Sequence, residues 1–423
     1  MHPDSIATAP PATLQARPLD LTVRQGGVAA LAAALQASRR DTLAQFRRLQ
    51  QALPGLQVPR WPTLNPPLWE LGHIGWFQEF WLARNPQRRA GAQADPLAAR
   101  TAPLRAQADV LYDSSAVPHA SRWSLALPDA EATCADLAAQ LAGTLALLQA
   151  GGDSGHASDD ALYFFRLALV HEDMHHEAGL YMAQALGVAV DDPRWQAPVL
   201  PPPGADLQLA PGDWTLGSAA SPGFAFDNEL GAHRVALGAT QIDAQVQRWA
   251  EFLPFVDDGG YADARLWTAA GDAWRQASAA SAPHHLRRQD GLWQQWRHGR
   301  WQALNQAEPA CHLSAHEAQA WCTWAGRRLP SEAEWERAAV GGTGRPGTFR
   351  WGDVWEWTAS AFAPYPGFTA HPYRDYSAPW FDGRPVLRGG SFMTQPRIKH
   401  PRYRNFFPAQ RNDVPAGFRS CAL

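Results

Sequence analysis

Four segments ahead of residue 190 repeat their apolar residues every three or four positions, and this repeat constrains the fold more than any other feature of the chain. They are residues 27–53, 66–84, 130–150 and 160–187. Such spacing predicts amphipathic helices, each with one face to bury. Pro66 and Pro67 suit a helix start and Gly187 suits a stop. Four helices of this length satisfy one another best as a bundle. The connection over 85–128 has little regular pattern, and long connections of this kind tend to be functional.

Beyond residue 190 the texture changes. A Pro-rich stretch over 192–208 reads as a linker, and afterwards short apolar runs alternate with Gly, Pro and Asp. Of the 20 tryptophans, most lie in this second half. Two short helices are predicted there, each with a capping box: Ser314 with Glu317, and Ser331 with Glu334. The expected fold class is multidomain, α followed by α+β. The expected division is a tail over 1–21, a helical bundle over 22–191, the linker over 192–208 and an α+β domain over 209–423.

The formal net charge of −3 argues against a broad nucleic-acid face, and the basic stretch 397–404 is too short to reverse that. No apolar run reaches membrane-spanning length. Four scattered cysteines form neither a disulfide framework nor a C-x-x-C pair. The N-terminus lacks the charged and apolar regions of a secretory signal. A cytoplasmic protein, a monomer or small homo-oligomer acting on small molecules, is the expectation.

Residues 171–175, His-Glu-Asp-Met-His, satisfy the H-E-x-x-H pattern of zinc peptidases. On a helix His171 and His175 are one turn apart and can reach one ion. The extended peptidase pattern fails, because Ala178 and Tyr181 stand where it needs glycine and histidine. Downstream only Asp191 and Asp192 are available, past the helix end, so the third ligand is expected from another helix. His73, set among Trp69, Leu71, Ile74, Trp76 and Phe77, is the best candidate.

The combination of 69-WELGHIGWF-77, H-E-x-x-H-x-E, 352-GDVWEWTAS-360, 386-VLRGGSF-392 and 416-AGFRSCA-422 resembles the ergothioneine sulfoxide synthase family. The resemblance covers about residues 25–423. It implies a DinB-like four-helix bundle fused to a formylglycine-generating-enzyme-like, C-type-lectin-like domain. It also implies an Fe(II) site on His73, His171 and His175, with O2 as co-substrate and hercynine, Nα-trimethylhistidine, as acceptor at its imidazole C2. Three imidazoles leave about three positions on an octahedral ion. Spacing alone does not separate iron from zinc.

Departures from the family bear on the chalcogen donor. The family's Arg-rich loop corresponds to residues 111–129, which hold only Arg122. Its C-terminal motif appears as 404-RNFFPAQRN-412: Asn405 is kept, Phe406 replaces a tryptophan, Phe407 replaces the aspartate that helps hold an amino-acid thiol, and Arg411 remains as a cation. Met174 stands where glutamine is commoner. This pattern resembles the selenoneine synthase branch, which joins a 1-selenosugar to hercynine. The alternative is a sulfoxide synthase using γ-glutamylcysteine, cysteine or another small thiol. Tyr365 and Tyr373 are candidate proton donors, and Phe406 with one of Tyr365, Phe368 or Tyr373 is a candidate aromatic cage for the trimethylammonium group. The formylglycine-generating enzyme's copper chemistry is not expected, since only Cys421 lies near the C-terminus. A bundle with a lectin-like partner that binds a ligand without turnover is the remaining alternative.

Overall fold

The computed structural model describes residues 19–152, 157–220, 222–342 and 349–423. Residues 1–18 of the expected tail lie outside the described residues.

Four long helices form the first half: α1 (Val28–Ala52), α2 (Pro67–Trp81), α3 (Ala130–Gly152) and α4 (Asp159–Leu186). Their ends follow from local chemistry. Pro67 opens α2, where its missing N–H costs nothing. Ser158 caps α4 by accepting the Ala161 N–H, with Asp159 and Asp160 in the first turn. Gly187 ends α4 in the left-handed region, at φ 72°.

The connection over 85–128 is more ordered than its sequence suggests. It contains turns of 3-10 helix at Arg88–Gln93 and His119–Ser124 and a short α-helix at Ala108–Tyr112. Single turns are too short to express a 3.6-residue period, so pattern reading passes over them. Asp109 pins this connection to α2. It accepts from both Arg84 Nη1 (2.6 Å) and Nη2 (2.8 Å), and from Trp76 Nε1 (2.7 Å).

Residues 192–206 hold one 3-10 turn, Pro193–Trp195, with Trp195 buried. The Leu200 N–H donates to the Ala307 carbonyl at 2.8 Å. The second half then mixes short strands with helices. Helix Ala315–Trp324 carries the Ser314–Glu317 capping box, and Ser331 and Glu334 make the same reciprocal bonds before helix Glu332–Gly342.

One sheet of the second half contains β1 (Trp355–Ala361), β2 (Pro385–Arg388), β3 (Asn405–Phe406) and β4 (Ala416–Gly417), in the order β3-β2-β1-β4. Pairing is antiparallel from β3 to β1 and parallel between β1 and β4. Val386 lies opposite Phe406 and Leu387 opposite Asn405, which fixes the register that presents Phe406.

One apolar core runs through both halves, joining Trp81, Phe164 and Leu167 of the bundle to Trp355, Trp357 and Tyr403. Among the described residues, no helix is long and apolar enough to cross a membrane.

Candidate active site

Helices α2 and α4 bring His73, His171 and His175 together, with ligand atoms all within 4.8 Å of one another. The rings of His171 and His175 are 4.5 Å apart, and His73 lies 5.0 and 4.9 Å from them. One-turn spacing on α4 supplies two rings and the crossing of α2 supplies the third.

Each ring is held by its surroundings. His73 Nδ1 donates to the Tyr112 carbonyl at 2.7 Å, leaving its Nε2 lone pair free to point elsewhere. Gly72 permits this contact, because a Cβ there would collide with the Tyr112 ring. Trp69 stacks on His73 at 4.9 Å and 8°. Phe77 stacks on His171 at 3.5 Å and 3°. His175 Nδ1 donates to the Glu70 carboxylate.

Burial, then the nearby His175, pushes the His73 pKa down to about 3, and burial holds His171 well below the usual histidine range. Burial works to raise Glu70, but the charge and hydrogen bond of His175 outweigh it and hold the carboxyl at about 2. Burial thus favours neutral imidazoles at His73 and His171, and a carboxylate backs the ring of His175, an arrangement that suits a metal ion. Glu172 is not part of this group: it is buried in an ion pair with Arg39, at 2.7 Å.

The structure separates the two tyrosines predicted as proton donors. Tyr373 lies over the cluster, its ring 4.9 Å from Phe77 and 6.3 Å from His171. Tyr365 does not face the histidines. Its hydroxyl donates to Glu332 at 3.1 Å and accepts from Arg388 at 3.0 Å, inside a buried ion-pair network. Phe368 packs on Phe381, which meets Phe362, the ring stacked on Phe406.

Phe406 stacks on Phe362 at 4.0 Å and meets the edge of Tyr376 at 5.9 Å; Tyr376 is 6.1 Å from Tyr373. Aromatic rings thus run from His171 through Tyr373 and Tyr376 to Phe406. The Tyr376 and Tyr403 hydroxyls are 3.1 Å apart, and Tyr403 donates to Met174 Sδ at 3.4 Å. Asn405 Oδ1 accepts from the Phe406 N–H at 2.8 Å.

Two of the candidate substrate-binding residues, Arg122 and Arg411, have partners within the protein. Arg122 lies 3.8 Å over the Trp69 ring and donates to Asn65 Oδ1 at 2.8 Å. Arg411 pairs through two nitrogens with Asp413 and stacks over Phe407 at 4.8 Å. Arg411 is neutralised by Asp413, whereas Arg122 is held by the neutral Asn65 and Trp69 and keeps its buried Nε without a hydrogen-bond partner. That pairing depends on loop geometry, which residue identity alone does not reveal.

Sequence reasoning missed Glu70, Tyr112 and Tyr403. Glu70 carries a readable signal, since it sits one turn before His73 on the same helix. The Tyr112 carbonyl carries none, because any residue has one.

Residues 200–353 and 347–422 match the family described as Sulfatase-modifying factor enzyme 1-like domain. The formylglycine-generating enzyme of Streptomyces coelicolor is 29% identical over 248 residues, spanning 44% of this chain and 78% of that protein. The hercynine oxygenase of Mycolicibacterium smegmatis is 32% identical over 417 residues, spanning 85% of this chain and 91% of that protein. That of Mycobacterium tuberculosis is 32% identical over 409 residues, with the same coverages. A span of 85% has to include much of the helical half. The chain belongs to the hercynine oxygenase family. Membership extends the likeness beyond the sulfatase-modifying-factor-like domain, which begins at residue 200, to the half that holds His73, His171 and His175.

Proposed function

We propose that this protein is a non-heme Fe(II) enzyme that uses dioxygen to join a 1-selenosugar to C2 of hercynine. Hercynine as acceptor and dioxygen as oxidant follow from membership in a family whose mycobacterial members are named hercynine oxygenases. The donor set fits iron. His73, His171 and His175 present imidazole nitrogens to one another, and the Nδ1 protons of His73 and His175 are engaged by Tyr112 and Glu70. Bound iron would supply the redox chemistry with dioxygen that exchanges the imidazole C2–H for a carbon–chalcogen bond.

The remaining roles fall to the protein's own groups. The faces of Phe406 and Tyr376 suit a trimethylammonium group. Asn405, with its Oδ1 committed to the backbone, has its amide nitrogen to offer a substrate. The Tyr373 hydroxyl is the candidate proton donor, on a ring that touches both Phe77 and His171. Phe407 offers an apolar face to a sugar ring, and Met174 with Tyr403 closes the wall beside α4.

The donor choice rests on one observation: Arg122 and Arg411 are both engaged internally. γ-Glutamylcysteine brings two carboxylates, and each charge-assisted bond it fails to make costs roughly 1.5–3 kcal/mol. A neutral selenosugar forgoes none of them. A selenol is also more acidic than a thiol and arrives ionised at neutral pH. The second reading, a sulfoxide synthase using a thiol, is favoured by the 32% identity to the mycobacterial enzymes. Anaerobic Fe(II) loading, then hercynine with a panel of selenosugar and thiol donors under oxygen, distinguishes the two by the mass of the product.

A further inference from the structure

Arg122 is the only cationic residue in the loop over 111–129 that leads to α3. Its contacts lead toward the histidines. Its Nη1 donates to Asn65 Oδ1 at 2.8 Å. Asn65 Nδ2 donates to Glu70 Oε1. Glu70 Oε2 accepts from His175 Nδ1. The donors converge on Glu70, from Arg122 through Asn65 on one side and from His175 on the other, so the Asn65 amide fits in one orientation only: reversed, it would set acceptor against acceptor at Glu70. The Arg122 guanidinium plane also covers Trp69 at 3.8 Å, and Trp69 stacks on His73.

The geometry points to a positioning relay in which Arg122 holds Asn65, Asn65 holds Glu70, and Glu70 fixes the ring of His175, while the same guanidinium presses Trp69 onto His73. This rests on the reading of the histidines as a metal site. Arg122 is therefore a positioning residue for two ligands, and it binds no substrate. Its Nη2 turns back to the Ser114 and Val117 carbonyls at 3.5 Å, tying the loop to the same post. The physical basis is general. A carboxylate on the distal nitrogen sets the tautomer and direction of a ligating imidazole, and a planar cation that both forks and stacks is not replaced by lysine.

The test uses the full chain, anaerobically, with Co(II) as probe. Affinity comes from chelator competition, the ligand-field absorption band reports the coordination geometry, and the apo unfolding midpoint reports folding. Glu70→Gln is expected to weaken Co(II) binding 10–100-fold, and Arg122→Gln about tenfold with a shifted band. Arg122→Lys should resemble Arg122→Gln. Glu70→Gln/Arg122→Gln should lose less than the product of the two single losses, because the path through Glu70 is cut twice and only the Trp69 contact adds to it. If Arg122→Gln lowers the apo midpoint, Asn65→Leu cuts the middle link and decides by the same criteria. Wild-type Co(II) affinity in Arg122→Gln together with a raised KM for the chalcogen donor makes Arg122 a substrate cation and overturns the relay. Losses that multiply in the double variant overturn it too. Undiminished Co(II) binding by His171→Ala overturns the metal reading itself, a failure distinct from that of the relay.

Discussion

Glu177, two residues past His175 on α4, accepts the Trp355 Nε1–H of β1 at 2.8 Å across the junction of the two halves. The same carboxylate oxygen accepts from Ser391 Oγ and Thr394 Oγ1, each at 2.8 Å. One turn earlier, Asp173 pairs with Arg397 and accepts from Ser38 at 2.6 Å. The helix that carries two of the three histidines is thus clamped to the second half by residues interleaved with them. Glu177→Ala would remove the acceptor shared by three buried donors. It is expected to cost about 3 kcal/mol and to lower the thermal midpoint. A variant as stable as wild type would show the clamp to be incidental.

Loss of any one histidine should remove the metal. His73→Ala, His171→Ala and His175→Ala are each expected to purify with little iron and without turnover, measured by elemental analysis and oxygen uptake. Full activity in His73→Ala would mean that another residue is the third ligand. Glu172→Ala should keep the metal and instead lose roughly 3–5 kcal/mol of stability, because Arg39 would remain buried without its partner.

The two tyrosines should behave differently. Tyr373→Phe is expected to slow turnover by about 10²–10⁴-fold with metal content unchanged. Tyr365→Phe should leave the rate per folded enzyme near wild type and lower stability, because its hydroxyl serves Glu332 and Arg388. Equal rate losses in both would remove the assignment of Tyr373.

Donor preference is measured directly by kcat/KM. The selenosugar should exceed γ-glutamylcysteine by a wide margin with hercynine as common acceptor. Phe407→Asp should weaken the sugar reaction without creating good peptide-thiol turnover, since Arg411 is already held by Asp413. Comparable efficiency for the two donors in the wild type would return the protein to the thiol-using reading.

The sequence by itself determined the four helices, their caps and the pairing of His171 with His175, because a 3.6-residue period and i,i+4 spacing are local properties of the chain. It also pointed to His73, through a histidine set in an apolar helix, and to the capping boxes at Ser314 and Ser331. Only the tertiary structure decided what each polar group meets. Tyr365 and Tyr373 are both tyrosines in one loop-rich stretch, yet one enters an ion-pair network and the other covers His171. Arg122 and Arg411 read as cations waiting for a substrate, and Asn65 and Asp413 take them up. Hydrogen bonds and ion pairs act over a few ångströms of space regardless of distance along the chain, so the partner of a charge is fixed only when the helices, loops and strands have packed.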